Sequence, residues 1–193
     1  MQKPFFTLGL CLAAIGAAHA QQPANTVGIT LGYGRTNIRD NGSYFSMKHS
    51  AYQAGLNADV YFSEMFSFHP EALYTLQYFD ATNENYNRDI SYINVPLLAR
   101  LHAKGFFVEA GPEVNFALTA KKEAGDNVRS DVNPVVLDYV VGLGYQLGTG
   151  LGLGVRYDGG ASNVFKSTTS TVIGNNSLKS NTFWVNLSYA FGK

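Results

Sequence analysis

The sequence predicts an all-β fold, an eight-stranded antiparallel transmembrane β-barrel, and three observations carry that prediction. Apolar and polar residues alternate with a period of two in eight separate segments. The stretches between those segments alternate in length, long and then short. The polar faces of the segments lack lysine, which a water-washed strand normally carries to protect its edges.

Taken in order, residues 26–38 set Val27, Ile29, Leu31 and Tyr33 against Gly28, Thr30, Gly32 and Gly34. Residues 51–62 set Tyr52, Ala54, Leu56, Ala58, Val60 and Phe62 against Gln53, Gly55, Asn57, Asp59 and Tyr61. In 66–79, Phe66, Phe68, Ala72, Tyr74, Leu76 and Tyr78 oppose Ser67, His69, Glu71, Thr75 and Gln77. Residues 91–101 place Ile93, Val95, Leu97, Ala99 and Leu101 on one face, with Tyr92, Asn94 and Arg100 on the other. The same alternation runs through 106–119, with Glu109, Gly111, Glu113 and Asn115 on the polar side. It continues through 135–147, where Asp138, Gly142, Gly144 and Gln146 are polar, and through 151–160, where Gly152, Gly154, Arg156 and Asp158 are. Residues 181–191 close the set, with Thr182, Trp184, Asn186 and Ser188 opposite Phe183, Val185, Leu187, Tyr189 and Phe191. Most of these segments have the length of a tilted membrane crossing.

The long connections are 39–50, 80–90, 120–134 and 161–180; the short ones are 63–65, 102–105 and 148–150. Tight turns on one side and longer loops on the other are the pattern of outer-membrane barrels, which places the N-terminus in the periplasm and the four long loops outside. A soluble eight-stranded barrel would also alternate, with its apolar face inward and charge outside. The lysines decide between the two. Lys3, Lys48, Lys104, Lys121, Lys122, Lys166, Lys179 and Lys193 all fall outside the eight segments. The polar face instead holds Gly, Asn, Ser, Asp, Glu and two Arg, as a narrow interior would. The apolar face ends in two aromatic girdles, where amphipathic rings meet the membrane–water interface. One comprises Phe62, Phe66, Phe106, Tyr145, Tyr189 and Phe191; the other comprises Tyr33, Tyr52, Tyr78, Tyr157 and Phe183.

The first twenty residues read as a secretory signal that directs export across the inner membrane. Lys3 supplies a positive start, residues 5–18 an apolar stretch, and Ala18-His19-Ala20 a small-x-small cleavage pattern, so the barrel domain is expected over 21–193. The single cysteine, Cys11, goes with the signal, which leaves the barrel without a disulfide. Loss of Lys3 leaves the acidic residues one ahead of the basic, a balance with no nucleic-acid footprint. Abundant glycine, tyrosine and phenylalanine (20, 12 and 13 residues) suit strands and aromatic belts better than helices.

Three stretches carry a family resemblance: Phe68-His69-Pro70-Glu71-Ala72-Leu73-Tyr74, Tyr92-Ile93-Asn94-Val95-Pro96-Leu97-Leu98-Ala99-Arg100 and Phe107-Val108-Glu109-Ala110-Gly111-Pro112. They resemble the outer-membrane β-barrel domain family of small porin-like bacterial proteins, over essentially the whole chain after the signal. The strand ending Tyr189-Ala190-Phe191 looks like the aromatic signal read by the barrel-insertion machinery. The resemblance implies location and shape, and by itself neither conduction nor chemistry.

Function is sought in three places. Asp59, Glu71, Glu109, Glu113, Asp138 and Asp158 are expected in the lumen with Arg100 and Arg156, and with His69 as a further partner. An eight-stranded barrel is just wide enough for side chains to fill it, so these groups form either a salt-bridged packing or a narrow cation-preferring path. Catalysis, of the kind a lipid-modifying barrel performs, has little to stand on. His49, His69 and His102 are the histidines beyond the signal, and no nucleophile elbow, zinc spacing or cofactor motif accompanies them. The loops are the third place. They are expected to meet an extracellular ligand, while Arg35 and Lys48 at the outer rim face lipopolysaccharide phosphates. The expected whole is a monomeric, non-enzymatic outer-membrane barrel with a structural or adhesive task.

Overall fold

A strand whose two faces differ in polarity must separate two environments, and eight such strands in succession leave two unpaired edges unless the sheet closes. The computed structural model closes it. It describes residues 23–40, 43–79, 88–122, 133–163 and 178–192. The strands are β1 (Thr26–Asp40), β2 (Ser43–Tyr61), β3 (Phe66–Phe79), β4 (Arg88–Ala103), β5 (Phe106–Lys122), β6 (Val135–Gln146), β7 (Leu151–Gly160) and β8 (Leu178–Phe191). Each pairs antiparallel with its neighbour in sequence, and β1 pairs with β8 from Val27↔Phe191 to Asp40↔Leu178. The described residues contain no helix. The expected signal peptide and its cleavage site lie outside the described residues.

All eight predicted segments are strands, and several run further than the alternation indicates. β1 and β2 extend to Asp40 and Ser43, which face each other in register, so most of the expected loop 39–50 is a hairpin arm. β4 begins at Arg88, β5 ends at Lys122 and β8 begins at Leu178, each about three residues into an expected loop. Consequently Lys48, Lys121, Lys122 and Lys179 belong to strands, which corrects the expectation that every lysine lies outside them. Beyond the apolar band both faces of a strand meet water. The ladder then continues while the contrast that reveals it in the sequence is lost. At the other end Phe62 and Leu147 belong to turns instead of strands.

The short connections are built by local chemistry. Lys104 and Gly105 join β4 to β5 with positive φ at both positions (51° and 88°), the hairpin geometry that matches the twist of the flanking strands. Between β2 and β3 the amide of Phe66 donates to the Ser63 hydroxyl, and the Phe62 amide donates to the Phe66 carbonyl. Gly150, at φ 91°, turns the chain into β7.

Alternation puts the aliphatic residues on the outer wall: Leu56, Leu143, Leu153, Val185 and Leu187 are all about half exposed or more. Their counterparts face inward and are buried, including Thr30, Asn57, Asp59, Glu71, Arg100 and Glu109. A protein in water inverts this distribution. An apolar patch covering the whole circumference is stable only against lipid.

Candidate functional site

The lumen divides into two layers. In the layer nearer the short turns, β2, β3, β4, β5 and β7 each contribute charged side chains to one closed circuit. His69 bonds Asp59 through Nδ1 at 2.9 Å and Glu71 through Nε2 at 3.1 Å. Glu71 accepts from Arg156, whose Nε also donates to Glu109. Glu109 accepts from Arg100 Nε at 2.6 Å, and Arg100 returns to both oxygens of Asp59 at 3.3 Å. Both partners of His69 are carboxylates, which accept without donating, so both of its ring nitrogens donate and the ring is an imidazolium. Three carboxylates therefore alternate with three cations.

Neighbouring groups fill the remaining valences of this circuit. The Thr30 hydroxyl donates to Glu71 at 3.1 Å and accepts from Asn57 at 2.8 Å, while the Ser67 hydroxyl donates to Asp59 at 3.2 Å. The Arg100 guanidinium lies 4.3 Å above the ring of Phe107, an added cation–π contact on the short-turn side.

The layer nearer the long connections is built differently. Glu113 on β5 faces Asp138 on β6, and Asp158 on β7 pairs with Val140, two residues along β6 from Asp138. These three carboxylates share a cavity of about 20 Å³ with Gln77, Tyr92, Asn94, Asn115 and Trp184. No cationic side chain is among the described residues lining it. The carboxylates take neutral donors instead. Asn94 Nδ2 donates to Glu113 at 3.3 Å, Asn115 Nδ2 to Asp138 at 2.7 Å, and Trp184 Nε1 to Asp158 at 2.5 Å.

All eight charged residues expected in the lumen are thus placed there, seven buried and Asp138 half-buried, but they do not form one network. The expected imbalance of acids over bases is concentrated wholly in the second layer. The inner wall is also less polar than expected. Leu73, Leu98, Val136, Val140 and Phe107 point inward and are buried, as do Tyr92 and Trp184. A narrow barrel fills its interior with whatever volume fits, and these residues occupy polar-phase positions that the alternation alone marks as inward. Gly34 makes room for the largest of them: a Cβ there would stand 2.5 Å from the Trp184 indole.

The girdle residues face outward and stack in two bands. Phe62–Phe66, Phe106–Tyr145 and Tyr189–Phe191 meet at the short-turn end, with ring centroids 5.7, 4.7 and 5.4 Å apart. At the other end Tyr33–Tyr52, Tyr52–Tyr78 and Tyr157–Phe183 pair at 5.4, 6.2 and 4.9 Å. Tyr139, on the apolar face of its segment but absent from the expected girdle, joins this second band through Tyr157. Arg35 is exposed beside that band, whereas the side chains of His49 and Lys48 lie outside the described residues. His102 bonds the Ser67 hydroxyl at 2.8 Å and sits against Tyr61.

Comparison with known proteins agrees with this architecture. Ail, the attachment invasion locus protein of Yersinia pestis, solved with the heparin analogue sucrose octasulfate, shares 12% identity at a TM-score of 0.54, over 88% of this chain and 100% of that one. Neisserial surface protein A gives 10% identity and a TM-score of 0.54, over 86% of this chain and 99% of that one. At such identities the likeness is one of fold. No curated protein matches the chain. The family model described as an outer membrane protein beta-barrel domain matches residues 19–166, so this chain belongs to that family of bacterial outer-membrane proteins.

Proposed function

We propose that this barrel works as a closed wall and not as a conduit, with a structural or surface-interaction role carried by its long connections. One observation supports that reading above the rest: the circuit Asp59–His69–Glu71–Arg156–Glu109–Arg100 spans the lumen and leaves none of its charges free to hand an ion onward. In this reading the short turns and the N-terminus face the periplasm, and the long connections face outward to adhere to or recognise an extracellular ligand. The outer wall takes lipid, Arg35 takes lipopolysaccharide phosphate, and the barrel acts as a monomer without enzymatic activity. Planar-bilayer recording of the refolded barrel tests it. The expected result is electrical silence from protein that is demonstrably folded. Binding to an extracellular ligand should then disappear when the long connections are trimmed and the barrel is kept.

A narrow cation-preferring channel is the second reading, and the acid-lined cavity of the other layer favours it. Steady cation-selective openings, reduced by Glu113→Gln, would establish conduction and displace the closed wall.

A further inference from the structure

The second layer of the lumen contains buried oxygen atoms with nothing to bond. Oδ1 of Asn94, Oδ1 of Asn115 and Oδ1 of both Asp138 and Asp158 have no hydrogen-bond partner, and all four residues line the one small cavity. Asn94 and Asn115 are only 4% and 5% exposed, so water outside the barrel does not serve them. Their orientation is fixed by chemistry: each amide nitrogen donates to a carboxylate, which turns the carbonyl oxygen away from that bond. A buried acceptor without a donor forfeits its hydration without recompense, and several together in a native protein call for an occupant.

The chemistry of that occupant follows from the lining. Every unsatisfied atom lining the cavity is an oxygen: four are the acceptors of Asn94, Asn115, Asp138 and Asp158, the fifth is the Ser180 hydroxyl, and no cationic side chain lines the cavity to neutralise the carboxyl groups of Glu113, Asp138 and Asp158. An anion is repelled there, and a soft metal finds no sulfur or imidazole. Among the described residues no group of three His, Cys, Asp or Glu side chains is arranged to hold a metal ion, so any ion here rests on amide oxygen as well as carboxylate. Mixed carboxylate and amide-carbonyl oxygen is the ligand set of a hard divalent cation, calcium above all, which accepts irregular geometry. A volume of about 20 Å³ gives room for one water-sized occupant, the scale of a single inorganic ion.

We propose that the cavity bounded by Glu113, Asp138, Asp158, Asn94 and Asn115 is a binding site for a single divalent cation of the calcium class. The cation supplies the layer with the positive charge that Arg100, Arg156 and His69 supply to the layer below. It ties β4, β5, β6 and β7 together at the end of the barrel that carries the long connections. This site holds its ion whether or not the barrel conducts.

Trp184 makes the site directly observable, because it is the chain's single tryptophan and donates to Asp158. Terbium, a luminescent stand-in for calcium, would be titrated into the full barrel refolded in zwitterionic micelles, exciting the red edge of the indole band. The expected result is saturable terbium emission that Ca²⁺ displaces competitively, with one ion bound per barrel by calorimetry. Glu113→Gln and Asp158→Asn should each weaken binding at least tenfold while keeping the heat-modifiable gel mobility of a folded barrel. Trp184→Phe should abolish the sensitised emission and leave the calorimetric binding in place. Emission and affinity unchanged in both acid variants would overturn the proposal, since the ion would then sit elsewhere. So would the absence of both emission and heat from the folded barrel. Should either acid variant fail to fold, Asn115→Leu, which removes a neutral ligand, reads the same loss.

Discussion

The two layers of the lumen hold equal numbers of carboxylates and treat them in opposite ways. Near the short turns each acid lies between two cationic side chains, and the circuit closes on itself. Near the long connections the acids have only amide and indole donors, and oxygens around them remain unsatisfied. The difference shows that burial alone does not fix what a carboxylate contributes. The same residue type locks one layer and leaves the next dependent on something the chain does not supply.

That contrast can be broken most forcefully at Arg156, which joins Glu71 to Glu109. Arg156→Met leaves two buried carboxylates short of a partner and should cost about 4 kcal/mol, read as a lower urea midpoint for unfolding in micelles. A matched pair of substitutions sharpens the comparison. Glu109→Gln in the circuit should destabilise by about 3 kcal/mol, because it leaves Arg100 and Arg156 undercompensated. Packing in the second layer comes next in size. Gly34→Val drives a branched side chain into the Trp184 indole and should cost about 2 kcal/mol by overpacking, a loss that Trp184→Ala in the same chain should partly restore. The smallest effect has the opposite sign. Glu113→Gln, the other half of the matched pair, should stabilise the cation-free barrel by about 1 kcal/mol through relief of like-charge burial. Adding Ca²⁺ should erase that gain. If the two glutamate variants shift stability the same way by similar amounts, the layers do not differ as described.

The fold was legible wherever the chain passes between lipid and lumen, because only there do alternate side chains face unlike surroundings. Val27 through Gly34 reads as a strand on sight, while Ser43 through His49 does not, although both pair in the same hairpin. Past the membrane the backbone bonds persist and the side chains no longer report them. The lumen was half legible. His69 and Glu71, two residues apart on one strand, must share a face. The contact between Glu71 and Arg156 spans 85 positions and depends on how the sheet staggers as it closes, which no local pattern encodes. The same ignorance hid the partition of acids. Counting charges reveals an excess of carboxylate, and only the register reveals that Glu113, Asp138 and Asp158 hold all of it. The inward Leu73 and Leu98 were hidden by type, since aliphatic residues at inward positions read as breaks in the alternation until the volume to be filled is known.

The pairing of β1 with β8 has a consequence for how the molecule comes into being. Thirteen residue steps of ladder, from Val27↔Phe191 to Asp40↔Leu178, join the two ends of the chain and stay unavailable until the last strand is in place. Every other ladder joins sequence neighbours and can form early, at small loop-closure cost; this one encloses nearly all of the polypeptide. Assembly therefore has a final step that resembles fastening a seam. Until it happens, two bare strand edges face either lipid, which cannot satisfy them, or another unfinished chain, which can. A shift of one residue at that step would turn the inward side chains of β8 toward lipid, so the seam is also where the whole alternation is checked for consistency. A chain cut short before Leu178 has strands in plenty and no means of ending the sheet.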